Sequence, residues 1–307
     1  MVIGSYTLDK PLTNSNAGFS RWGIGEKDGK KYFIKEFLSP VYPENNSGIS
    51  NTAIEKKRKL CREFEYKEQA VINNINTYTD GNILRINEFF RCGSKYYLAT
   101  DYINSIKLEE VYKLPYEEKI MLMKILAHGL YSLHAASLIH GDIKMDNILF
   151  YKLNSKFVTA KIIDVDGCYF KNESPKNPDD IVVDQVYMAP ETFIYIAKEE
   201  GKLTEKVDSF AMGIIFHQIL TGKLPDISEE YDYIYECILD GKFPVLAVEN
   251  EMHNLIMGML RADSEKRMNM QEVLEVLNGA MPESKTDLKK EEKADTAGGF
   301  FMPAGDL

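Results

Sequence analysis

The chain is poor in the residues that staple or metallate a fold. Its four cysteines, Cys61, Cys92, Cys168 and Cys237, are far apart in the 307 residues and form no CxxC pair. That spacing excludes a disulfide framework and argues against zinc, so the thiols are expected to be reduced, as in a cytoplasmic protein. No apolar run approaches the roughly 20 residues that cross a bilayer. The longest candidate, around Gly213 to Leu220, contains His217 and Gln218 and reads as a buried core helix. There is no basic-then-apolar leader at the start, so export is not expected, and no internal repeat is seen. Positive charge is also in deficit. With 37 Lys and Arg against 47 Asp and Glu, the formal charge of −10 argues against a nucleic-acid surface. What remains is an ordinary soluble composition, long enough for one large domain or two lobes around a real core.

Organisation follows from periodicity. Residues 19–26 and 31–37 read as strands joined by Lys27-Asp28-Gly29-Lys30, a hairpin signal. A polar loop from Ser39 to Thr52 precedes a helix of about two dozen residues, with apolar positions at Cys61, Phe64, Val71, Ile72 and Ile75. Two more strands are expected near Ile83–Phe90 and Lys95–Tyr102. From Pro115 onward the chain reads as mostly helical. Periodicity marks 116–136 and 251–260, and 207–221 is apolar on nearly every face, as at the centre of a core. After Pro282 the composition becomes that of a disordered tail.

The stretch from His140 to Leu149 carries the chemistry. Asp142, Lys144 and Asn147 stand at fixed spacing between two apolar runs. A carboxylate can orient and deprotonate a hydroxyl, an ammonium can cover a transferring phosphate, and an amide oxygen can hold a metal. Phosphoryl transfer asks little more than such positioning and charge neutralisation. In the first half, strand alternation puts Lys35 on one face with Phe33 and Phe37. The apolar stripe of the long helix is interrupted at Glu68, and a carboxylate there costs several kcal/mol (order of magnitude) unless paired. Lys35 is its natural partner, with Glu65 one turn earlier as the competing choice.

In order, these segments resemble protein kinases. His140-Gly141-Asp142-Ile143-Lys144-Met145-Asp146-Asn147 is similar to the kinase catalytic loop, with Gly141 where Arg is usual. Ile163-Asp164-Val165-Asp166-Gly167 resembles the metal-binding Asp-Phe-Gly, and Met188-Ala189-Pro190-Glu191 the Ala-Pro-Glu that closes the activation segment. Asp208 and Arg267 fall where the family places an Asp that accepts catalytic-loop N–H groups and an Arg that pairs with that Glu. The resemblance spans about residues 15 to 277. It implies an α+β, two-lobed fold: a small β-rich lobe with one helix over 1–103, a larger, mostly helical lobe over 104–281, and a tail over 282–307. It also implies ATP and Mg²⁺ between the lobes. Asp142, Lys144 and Asn147 would be catalytic, Asn147 and Asp164 would hold metal, and Glu191, Asp208 and Arg267 would be structural. Lys35 and Glu68 would hold the phosphates, and Asp101-Tyr102-Ile103 would be the adenine-facing hinge behind the gatekeeper Thr100. Ala17, Gly18, Phe19, Ser20, Trp22 and Phe33 would cover the nucleotide. Lys two residues after the catalytic Asp is the serine/threonine form, so the expected substrate is a protein bearing such a hydroxyl.

The departures are specific. The phosphate loop reads Ser15-Asn16-Ala17-Gly18-Phe19-Ser20-Arg21-Trp22, and its three glycine positions hold Ser15, Ala17 and Ser20. Loss of glycine narrows the backbone options for close phosphate approach. Gly141 removes an arginine that in many kinases binds an activation-loop phosphate. The segment from Asp164 to Glu191 has no threonine and one serine, Ser174, so activity is expected not to depend on phosphorylation there. Asp166 replaces a glycine, which restricts backbone rotation. It is read as solvated or capping, with a third metal-side carboxylate as the alternative. Lys56-Lys57-Arg58-Lys59 reads as an exposed helix start, with an acidic docking partner as the alternative, and the terminal Phe300-Phe301 segment suggests a dedicated partner docking on the tail. Two rivals stand beside the protein kinase. One is a pseudokinase binding module, favoured by the degraded loop. The other is a small-molecule phosphotransferase of the aminoglycoside or choline type, whose loop also reads His-Gly-Asp but which usually lacks Lys144, Glu191 with Arg267, and Asp208.

Overall fold

The structure, a computed structural model, describes residues 1–15, 20–44, 50–79, 81–154, 157–175, 181–198 and 200–279. The glycine-poor stretch Asn16 to Phe19 and the segment after 279, with the Phe300-Phe301 motif, lie outside them.

An antiparallel six-stranded sheet builds the first lobe, in the order β1-β2-β3-β4-β6-β5. The strands are β1 (Val2–Ile3), β2 (Tyr6–Leu8), β3 (Ser20–Lys27), β4 (Lys30–Phe37), β5 (Ile86–Cys92) and β6 (Lys95–Asp101). The hairpin between β3 and β4 pairs Lys27 with Lys30. Asp28 and Gly29 both take positive φ, +53° and +75°, as a two-residue turn matching the twist of its strands demands. Alternation then sorts the faces. Ile34 joins Ile3, Tyr6, Leu8, Tyr97 and Ala99 in a small outer core. Phe37 belongs to the main core on the other face, so Lys35, two residues earlier, also points that way.

Against that face lies α1 (Asn51–Tyr78), capped by Ser50, whose side chain accepts the Ala53 N–H. Its buried residues are Ile54, Cys61, Glu68, Val71, Ile72 and Ile75, so the stripe read from periodicity is the packed one, with Glu68 at its centre. The basic run at 56–59 lies on its outer side, where Arg58 pairs with Glu55 and Lys59 with Glu63.

The second lobe is helical: α2 (Leu108–Tyr112), α3 (Tyr116–Ala135), α4 (Pro190–Lys198), α5 (Lys206–Thr221), α6 (Ile234–Leu239), α7 (Asn250–Met259) and α8 (Met270–Gly279). Every residue of α5 from Val207 to His217 is buried, which is why its sequence shows no amphipathic stripe. Gly213 permits this depth, since a Cβ there would stand 2.9 Å from the Met259 Cβ on α7. Between the helices run four short strands, β7 (Leu138–Ile139), β8 (Ile148–Lys152), β9 (Val158–Ile162) and β10 (Tyr169–Phe170). β8 pairs with β9 and β10 with β7. Ile162 also binds the segment before β5, donating to Asn82 O and accepting from Leu84 N at 2.9 Å each, and so ties the lobes together. Lys35 on β4 also reaches the turn after β9, where it pairs with Asp164 and Asp166. Among the described residues no helix is long and apolar enough to cross a membrane.

Candidate active site

The loop between β7 and β8 owes its shape to one buried carboxylate. Asp208, in the first turn of α5 and 1% exposed, accepts the His140 N–H at 2.9 Å and the Gly141 N–H at 2.8 Å. His134 Nε2 lies 2.8 Å from the same carboxylate. Burial alone would raise the Asp208 pKa, but the His134 hydrogen bond and charge, the His140 charge and the Gly141 N–H hold it below the usual carboxylate range. His134 was not singled out from the sequence, because its neighbours on α3 show only a helical face.

Gly141 sits at φ +80°, and a Cβ there would meet Tyr169 Cε1 at 2.8 Å. Glycine is therefore required locally both by backbone conformation and by the β10 tyrosine above it. The missing arginine has a steric reason that its interpretation as a regulatory sign did not contain.

Downstream, the loop draws Asp142, Lys144 and Asn147 together. Asp142 Oδ2 accepts from Lys144 Nζ at 2.6 Å and from Asn147 Nδ2 at 3.2 Å. Asn147 Nδ2 also donates to the Asp142 carbonyl at 2.8 Å, and the Asp184 N–H reaches Asp142 Oδ1 at 3.3 Å. Asp142 is thus aimed by donors on several sides while remaining partly exposed. The two bonds from Nδ2 leave Asn147 Oδ1 without a partner among the described residues.

The Asn147 carbonyl accepts the Ile163 N–H at 3.0 Å, which brings Asp164 beside the loop. Asp164 has left-handed backbone, φ +63° and ψ +47°, tolerated by Asp more than by most side chains. It opens the short 3₁₀ turn Val165–Gly167, whose Val165 is buried in the core. Among the described residues no group of three or more His, Cys, Asp or Glu side chains is arranged to hold a metal. A carboxylate and a free amide oxygen nevertheless fit magnesium, which is commonly held by one or two carboxylates together with substrate phosphates.

The expected Lys35–Glu68 pair needs correction. Lys35 Nζ is ion-paired with Asp164, and with Asp166 Oδ1 at 2.9 Å. Burial pushes the Lys35 pKa down, but the Asp166 and Asp164 charges outweigh it and hold it above the usual lysine range. Glu68, 3% exposed, makes no ion pair or hydrogen bond among the described residues, and its Oε2 is buried without a partner. Burial, with the nearby Asp166 charge, pushes its carboxyl up to about 8. The reason is competition: the turn after β9 presents two carboxylates to one ammonium, so Glu68 loses its counter-charge. Glu65 is no substitute, since it accepts the Tyr96 hydroxyl at 2.6 Å. Asp166 is accordingly neither solvated nor a cap. Burial and the Asp164 charge push its pKa upward against the pull of Lys35, while Lys35 outweighs burial at Asp164 and lowers it.

Above Lys35 on the same face, Trp22 and Phe33 stack with centroids 5.5 Å apart, and Trp22 Nε1 donates to Ser15 O at 2.9 Å. Ser20 is buried at the start of β3. Thr100, opposite Phe33, is buried with Oγ1 unpartnered among the described residues. Asp101 is held by Lys30 Nζ at 2.8 Å and Asn87 Nδ2 at 2.9 Å, while the backbone of Ile103 has no partner among the described residues. Ala17, Gly18 and Phe19 lie outside the described residues.

On the far side, Arg267, its side chain fully buried, grips Glu191 through two parallel bonds of 2.5 and 2.8 Å. Such a fork fixes α4 to the segment before α8 with an orientation that a lysine could not impose.

Comparison with known proteins agrees with this architecture. The chain is 28% identical over 277 residues to calcium-dependent protein kinase 4 of Plasmodium falciparum, covering 86% of this chain and 50% of that protein. It is 25% identical over 264 residues to the mouse serine/threonine-protein kinase DCLK3, covering 81% of this chain and 31% of that one. It is also 31% identical over 167 residues to the pea calcium and calcium/calmodulin-dependent serine/threonine-protein kinase, covering 52% and 29%. The chain thus spans half or less of the length of these relatives. The family model described as "Protein kinase domain" matches residues 48–277, the greater part of the chain, and the chain belongs to that family.

Proposed function

We propose that the chain is an ATP- and magnesium-dependent protein kinase that phosphorylates serine or threonine hydroxyls of proteins in a cytoplasmic setting. The observation that carries this reading is the Asp142–Lys144–Asn147 constellation, a carboxylate with a 2.6 Å ammonium partner in a loop pinned by Asp208. In this reading Asp142 orients the acceptor hydroxyl and takes its proton as the oxygen bonds to the γ-phosphorus and the bond to the β-phosphate oxygen breaks. Lys144 covers the transferring group, and Lys35 holds the remaining phosphates. A magnesium ion on Asn147 Oδ1 and Asp164 would neutralise phosphate charge. Trp22 and Phe33 offer the adenine a stacking face, and Thr100 to Ile103 line its edge. The lobes meet near Ile103. The Glu191–Arg267 fork and Asp208 support a protein over a small-molecule acceptor.

The reading is tested by Asp142→Asn, which is expected to lower phosphoryl transfer to a generic protein substrate by about 10²–10⁴-fold. The Mg-ATP-induced rise in thermal midpoint should persist, since a ligand that binds only the native state still stabilises it. Wild-type protein that binds Mg-ATP but labels no substrate would instead be a binding module on the same fold. Independence from activation-loop phosphate is tested by Ser174→Ala. Among the described residues Ser174 Oγ makes a 3.4 Å bond to Leu203 O alone, and the variant should keep most of its turnover; loss of activity would refute that independence.

A further inference from the structure

We infer that Asp166 is the positioning residue for Lys35, in the place that the glutamate of α1 was expected to fill. The inference deepens the kinase reading, on which its consequence for nucleotide binding rests, but the ion pair itself stands without it.

Three observations carry it. The Lys35–Asp166 contact of 2.9 Å joins two side chains that are each only 14% exposed, so solvent screens it little. The alternative partner is present but not engaged, because Glu68 is buried with Oε2 unpartnered. And the turn that carries Asp166 is built to hold it still. Val165 is buried at 4% exposure, the Cys168 N–H closes the turn onto Val165 O at 3.1 Å, and the following β10 is zipped to β7.

Charge accounting leads to the same residue. Lys35 is shared by Asp164 and Asp166. Were Asp164 to hold a metal, Asp166 would be the carboxylate left on the ammonium. A glycine at 166, as in the motif this segment resembles, could not supply it. Lys35 is thereby tied to the same short turn that carries Asp164. The two groups that face the phosphates are held as a unit, and the lysine does not rely on α1 to deliver its counter-charge.

The test is a pair of double-mutant cycles on the full chain, read as denaturant unfolding constants without nucleotide. Lys35→Met combined with Asp166→Asn is expected to be non-additive, with a coupling of about tenfold or more in the unfolding constant; Lys35→Met combined with Glu68→Gln should be additive within about twofold. A coupling at Glu68 equal to or larger than that at Asp166 overturns the inference. Repeating the first cycle with Asp166→Gly keeps the answer available if one variant does not fold. In the second readout, calorimetric binding of ADP in EDTA, Asp166→Asn should weaken affinity and Asp166→Glu should restore part of it. In turnover, KM for Mg-ATP should rise more than kcat falls. An Asp166→Asn variant that binds metal-free ADP like wild type but needs more Mg²⁺ for half-maximal turnover would make Asp166 a metal ligand and refute the positioning role. Wild-type protein that binds no nucleotide would end the kinase reading, yet the unfolding cycles would still decide the Lys35 partner.

Discussion

Asp208→Ala is expected to destabilise the chain by about 3–5 kcal/mol and to abolish phosphoryl transfer. The size follows from what the carboxylate satisfies. Two loop N–H groups, from His140 and Gly141, and His134 Nε2 converge on it within 2.8–2.9 Å, at a site 1% exposed to water. Removing one partner of a buried, charge-assisted set leaves the others desolvated and unpaired, which costs far more than the net worth of the bonds. The loss of activity has a separate cause. Gly141 is held at φ +80° directly before Asp142, and without the carboxylate the His140 and Gly141 N–H groups that fix that backbone lose their shared acceptor. Asp208→Asn should fall between wild type and alanine, since an amide oxygen can accept part of the set but its NH₂ faces a donor. Denaturant midpoints and substrate labelling measured together check both halves. An alanine variant with a wild-type midpoint would show that water or a neighbour replaces the carboxylate.

Glu68→Gln is expected to flatten the pH dependence of stability between about pH 4.5 and 8. The Glu68 carboxyl is pushed from 4.5 in the unfolded chain up to about 8 in the fold, by burial first and then by the Asp166 charge. Below pH 4.5 both states hold the proton, and the group contributes no pH dependence. Between 4.5 and 8 the folded state keeps a proton that the unfolded state has lost, so stability falls as pH rises, and above about 8 the loss levels off. At about 1.4 kcal/mol per pH unit the accumulated loss by pH 8 is on the order of several kcal/mol. Glutamine has the same shape and no proton to lose. The variant should therefore match wild type near pH 4.5 and exceed it near pH 8. Equal slopes of stability against pH for the two proteins would mean that Glu68 is ionised in the fold and paired.

Legibility in the sequence divided along a physical line. Residues whose role follows from local spacing were readable: the Asp28-Gly29 turn, the α1 stripe that buries Glu68, the all-apolar α5, and the Asp142–Lys144–Asn147 spacing that a single loop turn brings together. Lys35 could be placed on a face by alternation, but its partner could not be chosen. That choice is between carboxylates 33 and about 130 positions away, and it depends on which reaches the ammonium first. His134 and Tyr169 carried no signal at all, because their meaning lies in contacts with Asp208 and Gly141 from other elements.

The sequence alone therefore determined the pattern of strands and helices, since hydrophobic period and turn chemistry act over a few residues, and its ordered motifs carried the resemblance that implied the two-lobed architecture and the family. Only the tertiary structure decided which charges neutralise one another. Buried ion pairing is a contest among groups from distant segments, governed by distance and desolvation. Here that contest gave Lys35 to Asp164 and Asp166 and left Glu68 buried without a partner among the described residues.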